Sequence, residues 1–417
     1  MFGEIKTIYQ EYPKTFWILM TATFIDRIGG ALLFPFFALY ITDHFGVGMT
    51  EVGILFGLYA AGSIIGGIVG GIITDKYGRK FMLLFGLIAS ASFSLLMGFI
   101  DNLNVFYSLA IFWGLVGDSG GPAQRAMVTD LLVEEKRVEG FGVIKIIGNL
   151  AISIGPAIGS FLATRSFLLL FIADAITSLI TAIIVFITIP ETKPEIKIEN
   201  PNHSIWQTFI GYKDVLKDRI FMVFMAITAL VTLVYMQMNG TLSVFLRDNH
   251  SFSTEKIGWL LSMNAGMVVL FQFWITRKVK NFSPMIITAI GTLLYGIGFG
   301  MYGFIKSDIM MFIAMIIITI GEMIRAPFTL SIVSDIASED NRGRYMAVFS
   351  FSWTFPTLFG LLVAGTLMDN YNQNLVWYGG GLFCIIGVLF YVLLNKTFEN
   401  RIILSKVEKN ALEIAIE

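Results

Sequence analysis

The chain has 417 residues, of which 56% are hydrophobic and 14% charged, and its formal net charge is −1. An average soluble domain is about 25% charged, so this composition excludes a soluble globular protein and indicates an integral membrane protein. We therefore expect the protein to lie in the lipid bilayer and not to bind nucleic acid.

Twelve apolar segments follow one another along the chain, and each is long enough to cross a hydrocarbon core about 30 Å thick as a helix. Open sheets do not span bilayers, so the predicted fold class is an all-α membrane protein with twelve transmembrane helices in two pseudo-symmetric six-helix bundles. Segments one to twelve are Thr15–Thr42, Val52–Ile73, Phe81–Ile100, Val105–Leu131, Phe141–Leu162, Phe167–Ile189, Ile220–Phe245, Ile257–Ile275, Met285–Ile305, Ile309–Ile332, Tyr345–Leu367 and Leu375–Leu394.

Lysine and arginine are concentrated in the loops on one side of these segments, and the positive-inside rule makes that side cytoplasmic. Both termini and the long middle loop lie there. The polar stretch Met1–Lys14 enters segment one without a small-residue cleavage motif, which predicts a first span that also targets the protein. The expected location is the cell membrane.

A polar interval, residues 191–219, divides the chain into an N-terminal half (1–190) and a C-terminal half (220–395), with a cytoplasmic tail (396–417). An internal repeat at one constant offset supports two related halves, an arrangement described for transporters. The recurring pairs are Pro122 and Pro327, Asp130 and Asp335, and Gly155 and Gly360.

The loop between segments two and three carries four ionisable residues close together at the membrane surface, which predicts a contact or latch. Gly78 permits a tight turn at positive φ. Asp130, at the cytoplasmic end of segment four, is the obvious partner for this loop. The predicted latch residues are Gly71, Asp75, Gly78, Arg79 and Asp130.

This loop, Gly71-x-x-x-Asp75-Lys76-x-Gly78-Arg79-Lys80, resembles the signature between the second and third helices of the major facilitator superfamily. The resemblance implies that Arg79 pairs with Asp130. It also implies that Asp75 lies at the N-terminus of segment eleven, where the helix dipole favours an acid. The C-terminal copy of the loop lacks the aspartate and the glycine, so any latch should be asymmetric.

Ionisable residues inside the spans are the next functional candidates, because a charge there costs a few kcal/mol. Acids at matching depth in the two halves, each with an arginine nearby, suit proton coupling; the alternative is that they only tie helices together. The candidates for coupling are Glu322, Asp118, Asp26, Arg125, Arg325 and Arg27. We expect Lys145 and Asp174 to form structural pairs or to lie near helix ends.

Segment five contains Gly155, Pro156 and Gly159, which allow close helix approach and a bend. Ordinary tight packing would explain them. The pattern is also similar to the Gly-Pro-x-x-Gly-Gly signature of the drug:proton antiporter branch, with Ser160 in place of the last glycine. In bacterial exporters of that branch an acid at the position of Glu322 takes part in coupling.

Segment seven could line a substrate cavity with Met236, Gln237 and Asn239. It has no acid to recognise a cation, so a preference for cationic drugs has no support. The three histidines lie far apart in predicted loops, and we expect neither a metal nor another cofactor.

The leading hypothesis is a monomeric proton-coupled transporter that exports hydrophobic or amphipathic compounds by alternating access. A proton symporter that imports a small nutrient shares every feature except the pattern in segment five. A membrane sensor that no longer transports would predict degraded charges in the spans, and these charges are intact. An enzyme is disfavoured, since neither a nucleophile–base set nor a phosphate-binding glycine loop is present in the sequence.

Overall fold

The computed structural model describes residues 11–117, 119–193, 215–279, 281–336 and 342–416, without the side chains of residues 75, 134, 135, 138, 334, 335, 342, 343 and 402–416. Within these ranges the chain is helical and forms no strand. The predicted all-α fold class is therefore confirmed. Most of the central loop lies outside the described residues.

Fourteen α-helices can be followed through the described ranges. They are α1 (Lys14–Phe45), α2 (Met49–Tyr77), α3 (Arg79–Met97), α4 (Leu103–Gly117), α5 (Gly120–Leu131), α6 (Glu134–Ala163), α7 (Leu168–Thr188), α8 (Arg219–Met236), α9 (Thr241–His250), α10 (Thr254–Val279), α11 (Pro284–Tyr302), α12 (Asp308–Ile336), α13 (Arg342–Asn370) and α14 (Asn374–Ile416).

Eleven helices among the described residues are long and apolar enough to cross a membrane. The fourth predicted segment, Val105–Leu131, is described as two consecutive helices, α4 and α5. Large apolar side chains such as Phe186, Ile187 and Leu393 are at least 66% exposed, as expected for surfaces that face lipid. The chain is a multi-pass membrane protein.

The seventh segment differs from the single helix that its apolar run predicts. Helix α8 ends at Met236, a 3₁₀ turn covers Gln237–Asn239, and α9 begins at Thr241. Gly240, at φ −138° and ψ −67°, lies outside the helical region. Asparagine and glycine are weak helix formers, so the Asn239-Gly240 pair is where the helix breaks.

The described residues form two compact units. Unit 1 lies within Met1–Lys197 and Asn239–Val269, and unit 2 within Ile198–Met238 and Leu270–Glu417. The chain thus passes from one unit to the other at the break between α8 and α9, and again within α10. The four-part division drawn from the sequence remains a prediction.

Within unit 1, α1 packs against α6 and α7, α2 against α4, and α3 against α5 and α7. Its buried apolar cluster includes Phe16, Met82, Met127 and Val185, at the end of the unit that carries the α2–α3 turn. Within unit 2, α11 packs against α12 and α14, and α8 against α13 and α14. Both arrangements bring polar residues from separate helices together.

Candidate functional site

The predicted latch contains a formed ion pair. Arg79 Nε donates to Asp130 Oδ2 at 3.2 Å, so the first residue of α3 contacts the end of α5. Gly78 separates α2 from α3 at φ 114°, a conformation that only glycine adopts without strain. The structure therefore brings Gly78, Arg79 and Asp130 together.

Glu191, which the sequence analysis placed in the central loop, caps this turn. Its Oε1 accepts the backbone N–H of Arg79 at 2.9 Å, and its Oε2 accepts that of Lys80 at 3.1 Å. It also accepts the N–H groups of Thr192 and Lys193, both at 2.9 Å. The first amides of a helix have no partner within the helix, so this carboxylate supplies what α3 needs.

The charge state of Glu191 follows from these contacts. Partial burial raises the pKa of the carboxyl group, but four backbone amides hydrogen-bond to its ionised form and together lower the pKa below its ordinary value. An acid directly after the end of a span, in a loop otherwise rich in lysine, is the signal that could have identified it.

Three further contacts fasten the α2–α3 turn to the chain that leaves α7. Thr192 Oγ1 donates to Asp130 Oδ2 at 3.2 Å, and Lys193 Nζ donates to the carbonyl oxygen of Lys76 at 2.8 Å. Lys80 Nζ donates to the carbonyl oxygen of Phe186 at 2.7 Å. The cluster thus joins α2, α3, α5 and the end of α7 within unit 1.

Two predicted latch residues behave differently. A Cβ on Gly71 would meet nothing within 4 Å, so no close approach requires glycine there. At the preceding glycine, Gly70, a Cβ would lie 2.8 Å from Cα of Ser119. The side chain of Asp75 lies outside the described residues, so its contact with segment eleven remains a prediction.

Asp26 lies inside α1 and is held by α7. Ser178 Oγ donates to Asp26 Oδ1 at 2.9 Å, and Thr181 Oγ1 donates to the carbonyl oxygen of Ala22 at 3.0 Å. Asp174, also on α7, is 5% exposed and electrostatically coupled to Asp26. Asp174 lies in the interior of α7, and its expected role in a structural pair stays a prediction.

The other predicted residues of unit 1 are less enclosed. Arg27 on α1 and Arg125 on α5 are exposed, and Asp118 lies outside the described residues. Gln124, which the sequence analysis did not select, donates from Nε2 to Thr23 Oγ1 at 2.5 Å and ties α5 to α1. Its polar side chain inside an apolar run was the available signal.

In unit 2 the structure places Glu322 in the middle of α12, beside a tyrosine. Tyr235 of α8 donates its hydroxyl to Glu322 Oε1 at 2.9 Å, and its ring stacks on that of Tyr295 at 5.8 Å. Arg325, three residues after Glu322, is 4% exposed and lies 5.8 Å from the centre of the Tyr295 ring. Sequence reasoning found the two charges and missed both tyrosines.

The residues proposed for a substrate cavity lie at the end of α8. Gln237 is 2% exposed, and its Nε2 donates to the carbonyl oxygens of Leu233 at 2.8 Å and Gly360 at 3.2 Å. Met236 and Asn239 are partly buried. The Gln237 amide thus holds α13 to α8, and a role for it in substrate binding remains a prediction.

The glycine pattern of segment five marks a close crossing of α6 and α1. A Cβ on Gly155 would lie 2.6 Å from the carbonyl carbon of Ala31, and one on Gly159 would lie 3.1 Å from that of Leu32. On α10, a Cβ at Gly258 would lie 2.9 Å from the carbonyl oxygen of Pro156. All three positions therefore admit only glycine without displacement of a neighbour.

At the opposite end of unit 1, α9 is bound to α1. Arg247 Nη1 donates to Thr42 Oγ1 at 2.9 Å and to the carboxylate of Asp43, while its Nε donates to Asp248 at 2.7 Å. Ser243 Oγ donates to the carbonyl oxygen of Pro35 at 3.3 Å.

The family model of the Major Facilitator Superfamily matches residues 19–329 and 238–412, which together cover most of the chain. The chain belongs to the Major Facilitator Superfamily. The family and fold predicted from the sequence are confirmed, and the chain is a membrane transporter of small molecules.

Two relatives and one solved structure show which superfamily members are similar. A "Na(+), Li(+), K(+)/H(+) antiporter" of Planococcus maritimus is 26% identical over 409 residues, covering 91% of this chain and 93% of that protein. The quinolone resistance protein NorA of Staphylococcus aureus is 23% identical, covering 92% and 97%. A POT family transporter solved with a thioalcohol-conjugated peptide has a TM-score of 0.77 at 16% identity, covering 93% and 97%, and supports the fold alone.

Proposed function

We propose that this transporter exports hydrophobic or amphipathic compounds in exchange for protons, by alternating access of its two six-helix halves. The contact between Glu322 and Tyr235 carries the proposal. A carboxyl group in the middle of a span is costly when ionised, so binding and release of a proton there can be linked to a change of conformation.

The environment of Glu322 supplies that link. Its partner Tyr235 lies on a different helix, so a movement of α8 against α12 changes what the carboxylate contacts. Loss of a hydrogen bond to an ionised group favours the protonated form. Each movement of the two helices therefore alters the tendency of Glu322 to hold a proton.

Asp26 gives the N-terminal half a comparable group. It accepts one hydrogen bond from Ser178, and Asp174 of α7 provides a second carboxyl group that interacts with it electrostatically. Protonation of this pair is our second proposed coupling event.

Export is favoured by two observations. The chain has the Gly155-Pro156-x-x-Gly159 pattern that resembles the antiporter branch, and that pattern shapes the crossing of α6 and α1. The similar proteins include a cation/proton antiporter and a quinolone resistance protein.

The cluster around Arg79, Asp130 and Glu191 is our proposed latch. It ties the α2–α3 turn to α5 and to the chain that leaves α7. Because Arg277-Lys278-Val279 in the other half lacks the glycine and aspartate, the proposed latch is asymmetric.

Transport in proteoliposomes tests the function. With an imposed proton gradient, acidic on the side that corresponds to the cell exterior, we expect an amphipathic dye to move against the proton flow. The Glu322→Gln variant should lose this movement, whereas Asp369→Asn, which changes an exposed acid at the end of α13, should keep it. Dye movement with the proton flow would instead indicate a symporter.

A further inference from the structure

Arg325 has two hydrogen-bond donor atoms for which the described residues provide no acceptor. Its Nε and Nη2 atoms are buried without a partner, although the side chain is only 4% exposed. A buried donor without an acceptor is destabilising, and a charged one more so. These two atoms lie on the same edge of the guanidinium group, the edge that binds a carboxylate through two parallel hydrogen bonds.

The arginine has little freedom to seek a partner elsewhere. A Cβ on Gly291 of α11 would lie 2.8 Å from Cβ of Arg325 and 3.0 Å from its backbone nitrogen, so α11 and α12 are in direct backbone contact here. The guanidinium group faces the ring of Tyr295 from α11 and interacts electrostatically with Tyr391 from α14. An acceptor for the unused edge must therefore come to Arg325.

Glu322 is one turn earlier on the same helix, and residues three apart on a helix are neighbours. Its Oε1 accepts from Tyr235, which in turn stacks on Tyr295, the ring that Arg325 faces. The carboxylate thus contacts one tyrosine of a stacked pair, and the guanidinium group faces the other. Because the two charged side chains are neighbours on one helix, a change of their χ angles is the movement that would bring them together.

The groups around Glu322 and Arg325 come from five other helices. Tyr235 belongs to α8, Tyr295 to α11, and Tyr391 and Cys384 to α14, while Trp353 of α13 meets the Tyr235 ring edge-on at 6.1 Å. From α10, Gln272 donates to the carbonyl oxygen of Met323 at 2.9 Å. Tyr235 lies next to the break in the seventh segment, since the 3₁₀ turn begins two residues later, at Gln237.

We propose that Glu322 exchanges partners during transport, leaving the Tyr235 hydroxyl for the Nε–Nη2 edge of Arg325, and that this exchange sets when its proton is released. The inference rests on the proposed proton coupling and assigns Arg325 as the positioning residue of that site. Protonated Glu322 stays with Tyr235. Movement at the end of α8 withdraws Tyr235, the carboxyl group gives its proton to water, and the carboxylate pairs with Arg325, whose opposite charge stabilises the ionised form more than the lost hydrogen bond did.

Infrared spectroscopy tests the exchange without relying on transport. The purified full-length protein is titrated, and the protonated-carboxyl band that disappears in Glu322→Gln is assigned to Glu322. Arg325→Gln should move the midpoint of this band to higher pH by about 1 unit or more, because an opposite charge nearby favours the ionised carboxylate by that amount. Arg325→Lys, which keeps the charge and loses the fork, should fall between wild type and Arg325→Gln.

Arg165→Gln is the matched control, because Arg165 is exposed and lies over Phe161 in the other unit. In this variant the midpoint of the Glu322 band should equal that of wild type. An unmoved midpoint in Arg325→Gln would overturn the proposal. Should that variant fail to fold, Arg325→Lys decides in the same way. Failure of proton-driven dye transport with a shifted midpoint would instead contradict the proposed function and leave the exchange intact.

Discussion

The hydroxyl group of Tyr235 donates to Oε1 of Glu322 across 2.9 Å. This contact joins α8, the first helix of the seventh predicted segment, to α12, the tenth segment. The sequence does not link the two residues, because they are 87 positions apart. Together they form the group on which the proposed coupling depends.

Tyr235→Phe should reduce proton-driven dye transport up to about tenfold, because a hydrogen bond between uncharged groups contributes roughly 0.5–1.5 kcal/mol. The ring and its stack on Tyr295 are retained, so the protein should fold and bind dye as wild type does. Initial rates in proteoliposomes measure the effect. Tyr378→Phe is the control, since it removes a hydroxyl that donates to the carbonyl oxygen of Gly303 at 2.7 Å. Equal rates in both variants would argue against a role for the Tyr235 hydroxyl.

Glu191→Ala should destabilise the protein by about 0.5–2 kcal/mol, the usual effect of removing a side chain that caps a helix N-terminus. Glu191→Gln should lose less stability, because the amide oxygen of its side chain can still accept one of the four hydrogen bonds from backbone amides. Thermal unfolding in detergent gives the ranking. A Glu191→Ala variant as stable as wild type would mean that α3 begins without this cap.

The stabilisation by Glu191 should depend on pH with a defined sign. The pKa of Glu191 in the folded protein is below its ordinary value of 4.5, so the contribution is complete above pH 4.5 and is lost as the pH falls below it. The difference in unfolding temperature between wild type and Glu191→Gln should therefore be constant near neutral pH and shrink in acid. A difference that grows in acid would contradict this assignment.

Arg79 and Asp130 should be coupled in transport. Arg79→Gln and Asp130→Asn should each slow dye efflux, and the double variant should be no slower than the worse single variant, because each change breaks the same ion pair. The four efflux rates form a double-mutant cycle. Strictly additive losses would show that the two residues act separately and would remove the pair from the latch.

Gly155→Ala should destabilise the protein by about 1–3 kcal/mol, since the added methyl group would overlap the backbone of Ala31 and push α6 from α1. Gly148→Ala is an internal control on the same helix, because a Cβ there meets nothing within 4 Å. The control should be neutral or slightly stabilising, as expected when alanine replaces glycine inside a helix. Thermal unfolding of both variants distinguishes a required close approach from general helix propensity.

The sequence was sufficient for what is local. Apolar runs located the spans, Gly78 located the sharp turn, and the charges of the loop led to the contact between Arg79 and Asp130. The break at Gln237–Gly240 was missed, because an apolar run predicts a helix and says little about where a glycine interrupts it.

Contacts between distant helices could not be predicted in the same way. Tyr235 is an ordinary residue in its local pattern, and the contacts of Tyr235 and Glu191 follow from the partners that packing provides. Arg325 was selected for its charge, yet its unused donors could be recognised only from the structure.

The most direct test of proton-coupled export is to measure whether a gradient of the exported compound alone drives protons across the membrane. Proteoliposomes that hold a pH-sensitive dye and an amphipathic substrate are diluted into substrate-free buffer at equal pH, so that only the substrate gradient drives transport. For exchange, the wild-type lumen should acidify as substrate leaves, and the Glu322→Gln vesicles should not. A lumen that becomes alkaline, or substrate efflux with no change in pH, would contradict proton-coupled export.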